Sequence, residues 1–148
     1  GFRCTVFRQT MFEELEHQIH QLAQNGEALT ADLFTEKYYE LNKKYFGENI
    51  HIDEEIGLEW ARIPHFYYNY YVYQYATGYS AATALSKQIL EEGQPAVDRY
   101  IEFLSAGSSD YPIEVLKKAG VDMTQSSPIE EACKVFEQKL TEMEKLLS

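Results

Sequence analysis

The stretch PHFYYNYYVYQYATGY, positions 64–79, holds seven of the chain's twelve tyrosines directly behind one histidine. At about 100° per residue on a helix, His65, Tyr68, Tyr71, Tyr75 and Tyr79, spaced by three, three, four and four residues, share one stripe. That stripe presents phenol hydroxyls and an imidazole, each able to donate a hydrogen bond. Donors gathered in this way suit a polar cleft that grips peptide carbonyls or a developing oxyanion. The competing reading is a core helix whose tyrosines each place a hydroxyl on a nearby carbonyl. Four phenols and an imidazole on one face are hard to satisfy inside a small bundle, which favours the cleft. Phe66, Tyr67, Tyr70, Val72 and Tyr73 point in the remaining directions and are assigned to packing.

Other chemistry-bearing residues carry less. Glu14 with His17, and Glu48 with His51, fit Glu-x-x-His, the pair that di-iron bundles take from two of their helices. The second pair lies in an irregular connection that would not hold i, i+3 geometry, and short matches arise readily in an acidic chain, so no metal is assigned to either. His17 and His20 are read as a solvated face beside Glu13 and Glu16. There is no G-x-S-x-G, no P-loop, and no cysteine with a histidine nearby in sequence. GSSD at 107–110 reads as a turn. The H-E-x-x-H helix, in which two histidines hold zinc and the glutamate activates water, is absent from these 148 residues.

The elements that must position the tyrosines follow from periodicity. Phe7, Met11, Leu15, Ile19 and Leu22 form one helical stripe, closed by Asn25-Gly26. Thr30 offers an N-cap for a second helix, with Leu33, Phe34, Tyr38, Leu41 and Tyr45 inward until Gly47, and the two should pair as a hairpin. GENIHIDEEIGLEW reads as a long connection with one short helical turn. The aromatic run after Pro64 would suit a strand on propensity, but no partner strand exists elsewhere, so it too is expected to be helical. Helices follow at Ser80–Glu92, from Pro95 to Gly107 and from Pro112 to Gly120. Ser127-Pro128-Ile129-Glu130 matches a capping box for a last helix. The expected fold is an all-α bundle of about six helices, residues 1–148 forming a single helical segment with no internal boundary.

Composition narrows the partners. Thirteen basic against twenty-four acidic side chains give a formal charge of -11, which repels nucleic acid and anionic membrane surfaces alike. No run approaches the roughly 18 apolar residues of a membrane span. A cytoplasmic location is expected, with Cys4 and Cys133 as buried reduced thiols. Gly1 stands where a methionine would begin a chain, and the sequence reads as a piece of something longer.

FRQTMFEELE, EWARIPHFYYNYYVYQYATGYSAATALS and LSAGSSDYPIEVLKKAGVDM, in that order, resemble the C-terminal portion of the oligoendopeptidase F group of M3 metallopeptidases. The resemblance spans nearly the whole chain. It implies a cytosolic zinc peptidase of almost wholly helical fold whose deep channel admits short peptides. It places the zinc ligands and the catalytic glutamate upstream, so this chain is expected to bind no zinc itself and to be inactive alone. It implies that His65, with Tyr68, Tyr71 and Tyr75, faces the metal across the cleft. His65 and Tyr75 are the expected catalytic donors, Tyr75 being the first choice for the oxyanion, and Tyr68, Tyr71 and Tyr79 the substrate-binding residues. The expected partners are a short peptide and the upstream part of the same peptidase, and a homodimer through faces uncovered in the fragment is a further expectation. Two alternatives stay open: a non-catalytic helical module that binds peptides or a protein through the same face, and a di-iron carboxylate bundle.

Overall fold

A computed structural model describes the whole chain, Gly1–Ser148. A π-helical turn at Arg3–Phe7 leads into α1 (Arg8–Gln24), followed by α2 (Ala31–Phe46), 3-10 segments at Glu54–Arg62 and Pro64–Tyr68, α3 (Tyr73–Glu92), α4 (Gln94–Ala106), α5 (Pro112–Lys118) and α6 (Ser127–Leu147). The fold is all-α, with six α-helices and no strand. Packing divides it into two compact units, one running from Arg3 to Ala76 with Gly1, the other from Thr77 to Ser148 with Phe2. The division falls inside α3, where no Pro- or Gly-rich linker marks it in the sequence.

The first unit is built on α1 and α2. Met11, Phe12, Leu15 and Ile19 of α1 close on Tyr38 and Leu41 of α2, with Ile63 and Val72 completing the core. Phe7, expected in the α1 stripe, is 42% exposed because it belongs to the π-helical turn and not to the α-helical register. Thr30 caps α2 as its type requires, its Oγ1 accepting from the Leu33 N–H at 3.2 Å. Gly47 ends α2 at φ 77°, a conformation that costs glycine little.

The connection after α2 is more ordered than a single turn. Glu54–Arg62 winds as a 3-10 helix and lies on α2, where the Trp60 indole donates to Thr35 Oγ1 at 3.1 Å and its ring packs on Phe34 with centroids 4.7 Å apart. Glu59 gathers three partners there: Arg8 at 2.5 Å, the Tyr38 hydroxyl at 2.6 Å, and Arg62. Gly57 makes the close approach possible, since a Cβ on it would stand 2.9 Å from Thr35 Cγ2 and 3.1 Å from the Thr35 carbonyl oxygen. Gly57→Ala should therefore destabilise this unit by on the order of 1 kcal/mol, through overpacking against backbone that cannot easily retreat. Trp60, the chain's one tryptophan, reports it: the urea midpoint of its fluorescence should fall with the slope unchanged.

In the second unit Ala81 and Leu85 of α3 pack with Ala119 and Val121, flanked by Tyr100, Phe103, Leu116 and Met123. Lys87 of α3 and Lys134 hold the Glu131 carboxyl of α6 down at about 2. The capping box expected at Ser127 does not form, because helical backbone already includes Ser126 (φ -73°, ψ -21°). The Ser126 hydroxyl donates instead to Glu130 Oε1 at 2.7 Å. Both cysteines are exposed, contrary to the expectation of buried thiols. The covered side of α6 is carried by Pro128 and Ala132, leaving Cys133 outward, and Cys4 sits on the open side of the π-helical turn, where Val6 is the buried residue.

Candidate functional site

The tyrosine segment is not the single helix that its spacing suggested. A short 3-10 turn, Pro64–Tyr68, stops at two adjacent left-handed residues, Asn69 at φ 51° and Tyr70 at φ 56°, and α3 begins only at Tyr73. Asparagine tolerates this region, whereas tyrosine does so at a cost that its surroundings must offset. The offset comes from α1. Glu16 Oε1 accepts from the Tyr70 N–H at 2.5 Å, and Glu13 Oε2 accepts from the Tyr73 N–H at 3.2 Å. The Tyr70 ring lies 4.6 Å from the His20 ring. Phe66, edge-on to Phe12 at 5.9 Å, and the fully buried Val72 anchor the two sides of the bend.

These contacts revise two sequence readings. Glu16 is not on a solvated face; it is 4% exposed. A signal was available, since Glu16 is four residues from Phe12 and three from Ile19 and so shares their side of α1. Among the aromatics assigned to packing, Phe66 and Val72 pack, Tyr70 is half-buried, and Tyr67 and Tyr73 are exposed. The bend breaks the register on which that assignment rested.

Across the bend four side chains gather. The His65 ring stacks on Tyr71 with centroids 5.8 Å apart and planes at 15°, and meets Tyr75 edge-on, also at 5.8 Å. Tyr68 stands 6.4 Å from His65 and 5.9 Å from Tyr71, and Tyr71 stands 5.7 Å from Tyr75. The Tyr75 hydroxyl lies 3.4 Å from His65 Nε2. Tyr79 belongs to the second unit, where its ring meets Phe2 edge-on at 5.4 Å.

Exposure separates these phenols from the core tyrosines. Tyr38 is fully buried and gives its hydroxyl to Glu59, and half-buried Tyr45 gives its own to Glu14 at 2.9 Å. Burial, and then the carboxylate partner, push both phenols well above the ordinary value. Tyr68, Tyr71 and Tyr75, by contrast, are 63%, 39% and 37% exposed. The Tyr75 phenol is raised chiefly by its hydrogen bond with Tyr71, with burial and the Tyr71 charge adding to it. It therefore stays protonated, and a donor, at neutral pH. The imidazole and three phenols form an open patch of donors suited to carbonyl oxygens or a developing negative oxygen.

Metal-ligating side chains do not converge in this chain. Glu14 is engaged by Lys44 and Tyr45, His17 Nε2 is 2.9 Å from the Gln21 amide, and His51 pairs with Asp53. No three His, Cys, Asp or Glu side chains are grouped in this structure to hold an ion. An apolar recess of about 990 Å³ lies in the second unit among Leu85, Ile89, Tyr100, Phe103 and Leu116.

Known proteins resemble this chain along its length. It is 76% identical over 147 residues to oligopeptidase PepF of Bacillus subtilis, covering 99% of this chain and 22% of that protein. Identity to the chromosomal oligoendopeptidase F of Lactococcus lactis subsp. cremoris is 47% over 147 residues, 99% of this chain and 24% of the relative. The crystal structure of oligoendopeptidase-F from Enterococcus faecium superimposes with a TM-score of 0.96 at 54% identity, over 99% of this chain and 28% of that one. The chain thus spans about a quarter of the length of the relatives it matches. The family model described as Peptidase family M3 matches residues 2–135, and the chain belongs to that family.

Proposed function

We propose that this chain supplies one wall of the active site of an intact oligoendopeptidase that hydrolyses short peptides in the cytoplasm. Zinc would be held by residues of the intact enzyme that lie outside this chain. His65 and Tyr75 donate to the carbonyl oxygen as it takes on negative charge, and Tyr68 and Tyr71 hold the neighbouring peptide backbone. The observation that carries this reading is the exposed ring cluster in which the Tyr75 hydroxyl and His65 Nε2 lie 3.4 Å apart. With the proton on Nε2, the half-buried imidazole and the exposed Tyr75 hydroxyl are close enough to donate together to one oxygen. Core tyrosines in the same chain are instead consumed by carboxylates.

The test uses the intact enzyme and a quenched fluorescent peptide. His65→Ala should lower kcat/KM by at least roughly tenfold, since a donor aimed at the developing charge is lost. Tyr68→Phe and Tyr71→Phe should act mainly on KM. Unchanged kcat/KM in all three variants would remove the cluster from the active site and favour a peptide-binding module without catalytic donors.

A further inference from the structure

Glu16 is a buried carboxylate that none of the donor chemistry above uses. It sits on the core face of α1 at 4% exposure, where a leucine would fill the space without the cost of burying charge. Its Oε1 takes the Tyr70 N–H at 2.5 Å and stands 4.0 Å from His20 Nε2, while its Oε2 is buried without a hydrogen bond. The residue it grips has the least favourable backbone in the segment, a tyrosine at φ 56° beside Asn69 at φ 51°. This bend carries the chain from the His65 side of the cluster to the Tyr75 side. One turn earlier on α1, Glu13 takes the Tyr73 N–H just where α3 begins.

We infer that Glu16 is a positioning residue, its carboxylate fixing the left-handed bend at Asn69–Tyr70 so that His65 and Tyr75 meet; the inference rests on the functional reading of those two side chains. Glu13 is the secondary tie. Without Glu16 the Tyr70 N–H loses its acceptor and the strained φ loses its compensation, so the bend relaxes while the aromatic residues remain. The two donors then drift apart.

The intact enzyme provides the test, in two independent readouts. Glu16→Leu keeps an apolar-compatible core and removes the acceptor. Glu16→Gln keeps a carbonyl oxygen where Oε1 stands. Amide exchange at residues 69–73 should speed by at least roughly tenfold in Glu16→Leu, with exchange around Trp60 unchanged, as for a local opening. The leucine variant should lose roughly ten- to a hundredfold in kcat with KM nearly constant, because misplaced groups forfeit orientation and not binding. Glu16→Gln should recover most of both. In a Tyr75→Phe background the loss on adding Glu16→Leu should largely vanish, since the two act as one unit.

Unchanged exchange at 69–73 in Glu16→Leu overturns the inference whatever the kinetics show. An equal kcat loss with and without Tyr75 also overturns it, because the effect would then not pass through that residue. Silence of both Tyr75→Phe and His65→Ala instead brings down the functional reading, and exchange alone then decides for or against the tie.

Discussion

Replacing Tyr75 with phenylalanine should cost the intact peptidase roughly 10²–10³ in kcat while KM changes little, the loss expected when one oxyanion donor is removed. The substitution deletes one oxygen and leaves the ring that packs on Tyr71 and His65, so the cluster keeps its shape. Ground-state contacts would persist, and only stabilisation of the developing charge would go, which is the pattern of an interaction made in the transition state. The raised Tyr75 phenol adds a pH signature. A donor whose ionisation lies above the ordinary phenol range of about 10 should keep its proton through neutral and mildly alkaline pH. Any alkaline fall in kcat assigned to Tyr75 should therefore lie above that range and be missing from the phenylalanine variant. Steady-state kinetics across pH with one fluorescent peptide checks both statements. A kcat within twofold of the parent would take Tyr75 out of the reaction.

The second large effect concerns stability and centres on Glu59. Its side chain is 8% exposed, and it receives the Tyr38 hydroxyl, Arg8 and Arg62. Burial by itself raises the carboxyl, but the Tyr38 hydrogen bond, then Arg8, then the charge of Arg62 outweigh it and hold Glu59 below the ordinary carboxylate range. A carboxyl depressed in the folded state binds its proton more readily in the unfolded chain. Its contribution is complete above the unfolded value of about 4.3 and is lost as pH falls through the lower folded value. Glu59→Gln should thus destabilise the first unit by about 1.5–3 kcal/mol at neutral pH, the range for charged hydrogen bonds. The gap should narrow progressively once pH drops below the ordinary carboxylate range. Trp60 is the neighbouring residue, so urea unfolding followed by its fluorescence at several pH values measures the gap directly. A difference that stayed constant down to strongly acidic pH would assign the stability to packing and not to the charge.

Much of the helical framework could be read from local signals. Thr30 and Gly47 bracket α2 because a side-chain acceptor and a left-handed residue are what helix ends require. Met11, Leu15 and Ile19 are buried as their spacing demands. Failures occur where a distant element decides the local geometry. Nothing within FYYNYYVYQY announces the bend at Asn69–Tyr70, because the groups that hold it, Glu13 and Glu16, lie more than fifty residues away on α1. The capping box expected at Ser127 does not form for a simpler reason: backbone at Ser126 is already helical. The four gathered rings were selected on helical spacing, yet they meet through a different geometry, since the bend brings His65 back toward α3. Tyr79, selected by the same spacing, keeps company with Phe2.

The bend also changes how residues should be matched between related chains. Along an unbroken helix, one residue more or fewer between His65 and Tyr75 would swing the tyrosine by about 100° and separate the pair. Here Phe66 and Val72 fix the two sides of the bend, and the contact is set by those anchors and not by a count from the histidine. A related chain with a longer or shorter bend can therefore present an equivalent pair at a different spacing. Alignment by distance from the histidine alone would then select the wrong tyrosine, whereas counting forward from the start of α3, at Tyr73, would keep the correct one.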